Sequence, residues 1–382
     1  MRIGLIHWAF PPTTGGVESH VADLARMLSL AGYSVTVITG ESSPNRAPEY
    51  EIVTTRALNL EWLRSNPGDD DARFRYAFKE LKQIICSRRL GLIHGHNLHH
   101  FADAPGLALE QLRRELSLRV YHTFHETWPD LLHRNPVYRN WNGNLAVSRF
   151  VQQQCHEQLG FRPTLLPLSI DLDRFHCSRL PFTSSAVTTI FHPARLLPWK
   201  GVHLSVKMAA HLRLRGYNVN LLLTDTQRIV DWNCELGAYR KTIEELVSRL
   251  DLREQVRFCT PCYAEMAALY NEADLVVYPT VGDEPYGLVP LEAMACGRPI
   301  VASRSGGIPE TVVHSKTGYV VERDDLNSLT DAVAELLGDP QRAQLMGAAG
   351  RKHVENNFDA ACYVAKLIGR YNENESSQLP SN

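Results

Sequence analysis

The sequence lacks the marks that would place it in several large classes of protein. It has no basic excess: 40 Lys and Arg stand against 42 Asp and Glu, a formal net charge of −2. Chains that bind nucleic acid usually carry such an excess, so that partner is not expected. No apolar stretch approaches the length of a membrane span. The opening "MRIGLIHWAF" has too short an apolar run for a secretory leader and reads as a first strand. Cysteine is sparse. Its eight positions, Cys86, Cys155, Cys177, Cys234, Cys259, Cys262, Cys296 and Cys362, show no repeated spacing. A disulfide framework is therefore not expected, and a reducing cytoplasm is the default setting. What is present is ordinary: 382 residues, 44% apolar and 21% charged. That length is enough for two domains with full cores.

The chain repeats a strand, loop, helix pattern. "RIGLI" is followed by "GGVESHVADLARMLSLAG", in which Val17, Val21, Leu24 and Leu28 recur at helical spacing and Gly32 supplies a stop. Further strands are read at "SVTVIT", "GLIHGH", "RVYHTF", "NLAVS" and "TLLPL". The polar segment 169–185 breaks the rhythm and reads as a linker. A second series follows: "VTTIFH", "VNLLLT", "QVRFC", "DLVVYP", "PIVAS" and "GYVV". Alternation of this kind predicts α/β architecture with two parallel sheets, each covered by helices on both faces. Ligands bind such sheets beyond the carboxyl ends of the strands, so facing domains would share a cleft.

Several groups could carry chemistry there. In "DEPYGLVPLEAMACGRPIVAS", Glu284 falls in a strand-to-helix loop and Glu292 lies just over one turn into the helix 288–296, with Gly297 as its stop. Between them is a helix N-terminus, suited to an anion. Gly15 and Gly16 stand between the first strand and first helix, where glycine lets backbone approach a phosphate or simply makes a tight turn. Arg195 and Lys200, in "HPARLLPWKG", could grip a diphosphate or be solvated surface cations. His125 ends the "RVYHTF" strand and points to the expected cleft, or is a hydrogen-bonded structural histidine. "HGHNLHH" packs four histidines into seven residues. No cysteine or carboxylate completes a closed metal site there, so pocket lining is the better reading. "CTPC" lacks redox surroundings, and "GDDD" reads as a solvated loop. The basic helix 72–89 has Phe74, Phe78, Leu81 and Ile85 along one side, expected to pack on the sheet rather than on a membrane.

Taken together, "GGVE", "TFHE", "ARLLPWKG", "EPYGLVPLEAMACGRPIVAS" and "GGIPE" resemble the retaining glycosyltransferases of family 4, which have the GT-B fold. The resemblance covers nearly the whole chain. It implies two doubly wound, Rossmann-like domains facing each other across a cleft. Residues 1–172 would form the acceptor domain, completed by a C-terminal helix at about 358–375. Residues 186–355 would form the nucleotide-sugar domain, and 376–382 a disordered tail. The implied donor is a nucleotide diphosphate sugar, with a UDP-sugar favoured and a GDP-sugar the second choice.

The resemblance also distributes roles. Glu292 would take the ribose hydroxyls. The backbone around Tyr286, Gly287, Leu288 and Val289 would meet sugar and phosphates, and Glu284 would bind sugar hydroxyls. Arg195 and Lys200 would neutralise the leaving diphosphate, approached from the first domain by Gly15 and Gly16. His125 would lie beside the sugar. The acceptor, a sugar or another polar small molecule, would be met by loops 8–14, 96–100 and 126–133, with Trp8, His96, Asn97, His125 and Glu126 as lining. No carboxylate is placed as a covalent nucleophile, which favours front-face substitution with retention and without a metal or other cofactor. Membrane contact would be peripheral at most. Departures at "LPLSID", "LLLTDTQ" and "FCTPC" leave the base and sugar type open. An epimerase or phosphorylase-like enzyme on the same architecture, or a non-catalytic nucleotide-sugar sensor, is the alternative.

Overall fold

Apolar runs bounded by turn residues become buried parallel strands. The computed structural model describes residues 1–41, 49–65, 69–128, 137–182, 187–225 and 236–373. Residues 129–133 of the expected acceptor loops, 183–185 of the expected linker, part of "LLLTDTQ" and the tail lie outside them. Backbone packing divides the chain into two units: Met1–Leu168 with the chain from Ala360, and Ser169–Asp359.

The first unit holds β1 (Arg2–His7), β2 (Ser34–Thr39), β3 (Glu51–Thr54), β4 (Leu92–His96), β5 (Arg119–Phe124), β6 (Gly143–Ala146) and β7 (Thr164–Leu165). They pair in parallel in the order β3-β2-β1-β4-β5-β6-β7. The order reverses between β1 and β4, so successive right-handed crossovers fall on opposite faces. All five residues of β4 are buried, as two covered faces require. The register brings the carboxyl ends of β1, β4 and β5 together, and with them His7, His96 and His125. The helix Gly16–Leu30 ends before Gly32 and packs against the final helix Ala360–Glu373. That final helix is tied in by Tyr371, whose hydroxyl lies 2.6 Å from His94 Nδ1.

The second unit holds β8 (Thr188–His192), β9 (Val219–Thr224), β10 (Val256–Cys259), β11 (Leu275–Tyr278), β12 (Ile300–Ser303) and β13 (Tyr319–Val321), in the order β10-β9-β8-β11-β12-β13. Its core sets Ile190, Leu221, Leu223, Val277 and Val301 of the sheet among Val206, Leu212, Leu329 and Val333 of the covering helices. Each such side chain removed from water contributes about 1.5–3 kcal/mol.

Three details differ from expectation. The segment read as a linker is a strap over residues 169–182. Phe175 is fully buried, Arg179 pairs with Asp274 at 3.0 Å, and the buried Arg298 donates to the carbonyls of Ala273 and Arg179. The strap belongs to the second unit and is bonded into the rest of it. The basic helix runs Asp70–Arg88, and its buried stripe is Ala77, Leu81, Ile84 and Ile85, set against the helix Ala104–Leu116. Phe74 and Phe78 are half-buried and stack on each other at 6.1 Å. In "GDDD", Asp69 is the cap of this helix, accepting from the Ala72 N–H at 2.9 Å, so it is structural. No helix among the described residues is long and apolar enough to cross a membrane.

Candidate active site

In the second unit the site grows from the ends of β8 and β11. After β8 the chain passes Arg195 and makes a short turn at Pro198–Lys200. Gly201 follows at φ +73°, and a Cβ there would sit 1.9 Å from the Pro279 carbonyl oxygen. Only glycine allows this approach. It carries Lys200 against Tyr278, the last residue of β11. Lys200 Nζ lies 2.6 Å from Glu284 Oε2 and also donates to the Tyr278 hydroxyl. Tyr278 in turn donates to the same Glu284 oxygen. All three side chains are buried, and the ammonium also sits 3.9 Å from the centre of the Trp199 ring.

The Glu284 loop is held by its backbone. Its N–H donates to Ser305 Oγ at 2.9 Å, and that hydroxyl donates to the Gly282 carbonyl at 2.6 Å. The Glu284 carbonyl accepts from the Gly307 N–H at 2.9 Å. Burial, and then the charge of Glu284, push the Tyr278 phenol well above its ordinary pKa, with the half-buried Arg195 opposing. Tyr278 is thus a neutral donor.

The helix Leu288–Ala295 starts from Gly287, at φ +92° and without a side-chain cap. Tyr286 is buried, and Leu288 and Val289 are half-buried. One turn on, Glu292 is buried and accepts from the Tyr270 hydroxyl at 2.6 Å. Burial and the Glu292 charge push that phenol well above its ordinary range. Two cations and a helix N-terminus suit an anion, and two oriented carboxylates suit hydroxyls.

The first unit gathers the remaining candidates. Gly15 opens the helix Gly16–Leu30, and a Cβ on it would meet Glu18 Oε2 at 2.0 Å. The buried Glu18 folds back over that helix end, with Oε1 3.4 Å from His7 Nε2. The His125 N–H donates to Asn97 Oδ1 at 2.8 Å, and its Nε2 lies 3.0 Å from His96 Nδ1. Asn97 Nδ2 donates to Glu126 Oε1 at 3.1 Å, and the Trp8 indole donates to the Asn97 carbonyl at 2.8 Å. Trp8, His96, Asn97, His125 and Glu126 therefore form one network.

His20 joins this network unannounced by sequence. Ring nitrogens of His20, His96 and His125 all lie within 4.8 Å of one another, a group able to hold a metal ion. Burial, and then neighbouring histidines, bring His20 and His94 down to about 3 and hold His96 and His125 well below 6.5, so these rings are neutral. His94 is committed elsewhere, to Tyr371 and to Thr123 Oγ1 at 2.8 Å. Cys259 and Cys262 are both free thiols.

Sequence reasoning missed Tyr278, Tyr270, Ser305 and His20. Tyr278 alone carried a signal, since it lies next to the carboxyl end of an expected strand, "DLVVYP".

Two family models match side by side: "Glycosyltransferase Family 4" over residues 14–174 and "Glycosyl transferases group 1" over residues 184–353. The chain belongs to glycosyltransferase family 4. The enzyme is 29% identical over 389 residues to the GDP-mannose-dependent alpha-(1-6)-phosphatidylinositol monomannoside mannosyltransferase of Mycolicibacterium smegmatis, covering 94% of this chain and 95% of that one. It is 26% identical to glycogen synthase of Mycobacterium tuberculosis, covering 94% and 91%. Its fold resembles that of sucrose-phosphate synthase from Thermosynechococcus elongatus, with a TM-score of 0.79 at 23% identity over 99% of this chain and all of that one. The glycosyltransferase thus has two parallel α/β sheets of the GT-B type.

Proposed function

We propose that this glycosyltransferase moves a hexose from a nucleotide diphosphate sugar to a hydroxyl of a sugar-containing or other polar acceptor, with retention and by front-face substitution. The observation that carries this reading is the buried Lys200–Tyr278–Glu284 group, with Glu284 in the loop that leads to the uncapped helix N-terminus at Gly287. In this scheme Lys200 and Arg195 neutralise the diphosphate as its bond to the anomeric carbon breaks. Glu284 accepts from sugar hydroxyls and Glu292 from the ribose. The acceptor oxygen forms the new bond, and its proton passes to a donor phosphate oxygen. Preorganised charge of this kind lowers the barrier without needing to reorient as the reaction proceeds. The two cations supply the positive charge, so the scheme requires no divalent ion.

GDP-mannose is the first donor to test, ahead of the UDP-sugars favoured by the sequence. The support is the mannosyltransferase at 29% identity, whose name carries that donor. The likeness to solved structures at 23% identity or below speaks to fold alone. A thermal-shift panel of GDP-, UDP-, ADP- and dTDP-sugars tests the reading. A ligand at one hundred times its Kd stabilises by about 2.7 kcal/mol. One nucleotide sugar is expected to raise Tm clearly above the others. Failure of every one to do so overturns the proposal.

A further inference from the structure

The hydroxyl of Tyr278 stands between the two charged groups on which the proposed function relies. It donates to Glu284 Oε2 and accepts from Lys200 Nζ, and Lys200 reaches the same Oε2 at 2.6 Å. Both contacts on the Glu284 carboxylate fall on one oxygen. Oε1 makes no hydrogen bond among the described residues. A carboxylate accepts through both oxygens, so occupying one leaves the other to a ligand. The Tyr278 ring is well placed to enforce this. It is buried at the last position of β11 and packs edge-on against His192 at 6.1 Å. Its phenol is held neutral, and so remains a donor.

Resting on the reading above, we infer that Tyr278 is a positioning residue: it pins Glu284 Oε2 beside Lys200 and presents Oε1 to a hydroxyl of the donor sugar. Without the phenol, a lysine and a glutamate in a poorly solvated site attract each other strongly. The ammonium would draw in both carboxylate oxygens and remove the acceptor from the sugar. The loss would fall on the sugar half of the donor. The diphosphate would still meet Arg195 and Lys200.

The Tyr278→Phe variant of the full chain separates the two halves. The probes are the nucleotide sugar selected by the thermal-shift panel and the matching nucleoside diphosphate without sugar. A hydrogen bond to a charged group contributes roughly ten- to a hundredfold. The sugar nucleotide is expected to lose about that factor in kcat/KM, while the Kd of the nucleoside diphosphate stays within about twofold. In a Glu284→Gln background the Tyr278→Phe effect should largely disappear, because the phenol acts through that carboxylate. Equal losses for both ligands, no loss for either, or full additivity with Glu284→Gln would each overturn the inference. Should the variant not fold, a structure of the wild type with donor decides: Oε1 on the sugar supports it, and Oε2 on the sugar sinks it. Failure of the wild type to bind any nucleotide sugar counts against the proposed function instead.

Discussion

A buried lysine beside a buried glutamate limits what can replace either of them. Lys200 and Glu284 are 8% and 12% exposed as side chains, and the pair is 2.6 Å apart. Truncating one partner strands the other charge in a poorly solvated place, which costs about 3–5 kcal/mol. Glu284→Ala is therefore expected to lose transfer activity and stability together, seen as a lower urea midpoint. Replacing both members, as Lys200→Met with Glu284→Leu, should recover much of the stability and none of the activity. A double variant no more stable than Glu284→Ala would contradict this account of the pair. Sequence showed both residue types and their loops, yet not their contact. Lys200 and Glu284 are 84 positions apart, and the Tyr278 hydroxyl that joins them lies 78 positions from Lys200. No local period reports a meeting across that distance. Tyr270 was missed for the same reason, being recognisable only by its bond to Glu292.

At the scale of elements, the strand-to-helix turns decide where these side chains stand. Gly306 has φ +48°, and a Cβ there would lie 2.0 Å from the Glu284 carbonyl oxygen. Gly306→Ala must push the Glu284 loop aside and adopt a backbone region that costs about 1–2 kcal/mol for an L-residue. The expected result is a raised donor KM with a modest fall in Tm. An unchanged KM would mean that this turn does not position Glu284. Elements of this kind were largely legible. Runs such as "VNLLLT" and "SVTVIT" became β9 and β2 over the residues read, and Gly32 and Gly297 each follow the end of a helix. The edge strand β3 was not legible: its four residues, Glu51–Thr54, are none of them fully buried, so no apolar pattern marks them. The segment read as a linker begins at the boundary between the two units, but the attachment of residues 169–182 to the second unit was not legible in its polar composition. Its partners, Asn271, Asp274 and Arg298, are distant in sequence.

The two units differ most as whole bodies in how they should meet acid. Among the buried histidines of the first, five, His20, His94, His96, His122 and His125, are shifted down chiefly by burial. Around them stand His7, Glu18, His99, Tyr363 and Tyr371. The second unit has one fully buried histidine, His192, with the partly buried His203 and His353 lowered less. A histidine kept neutral by folding binds its proton more tightly when unfolded. Above about pH 6.5 neither state is protonated, and its neutral burial carries no penalty. Between about 6.5 and about 3, the range bracketed by His20 and His94, the unfolded chain gains a proton that the folded unit refuses. Each such group then removes about 1.4 kcal/mol of stability per pH unit. Five such groups against His192 and two less buried rings make the first unit the more acid-sensitive. Four of the six tryptophans, Trp8, Trp62, Trp128 and Trp141, belong to that unit, so their emission reports on it. In a titration from pH 7.5 to 4.5, the tryptophan transition is expected to precede the main loss of far-ultraviolet ellipticity. At pH 7.5, where the histidine term vanishes in both units, denaturant should show a smaller separation of the two signals. Coincident transitions at every pH would show that the buried histidines do not govern acid stability, or that the units unfold as one.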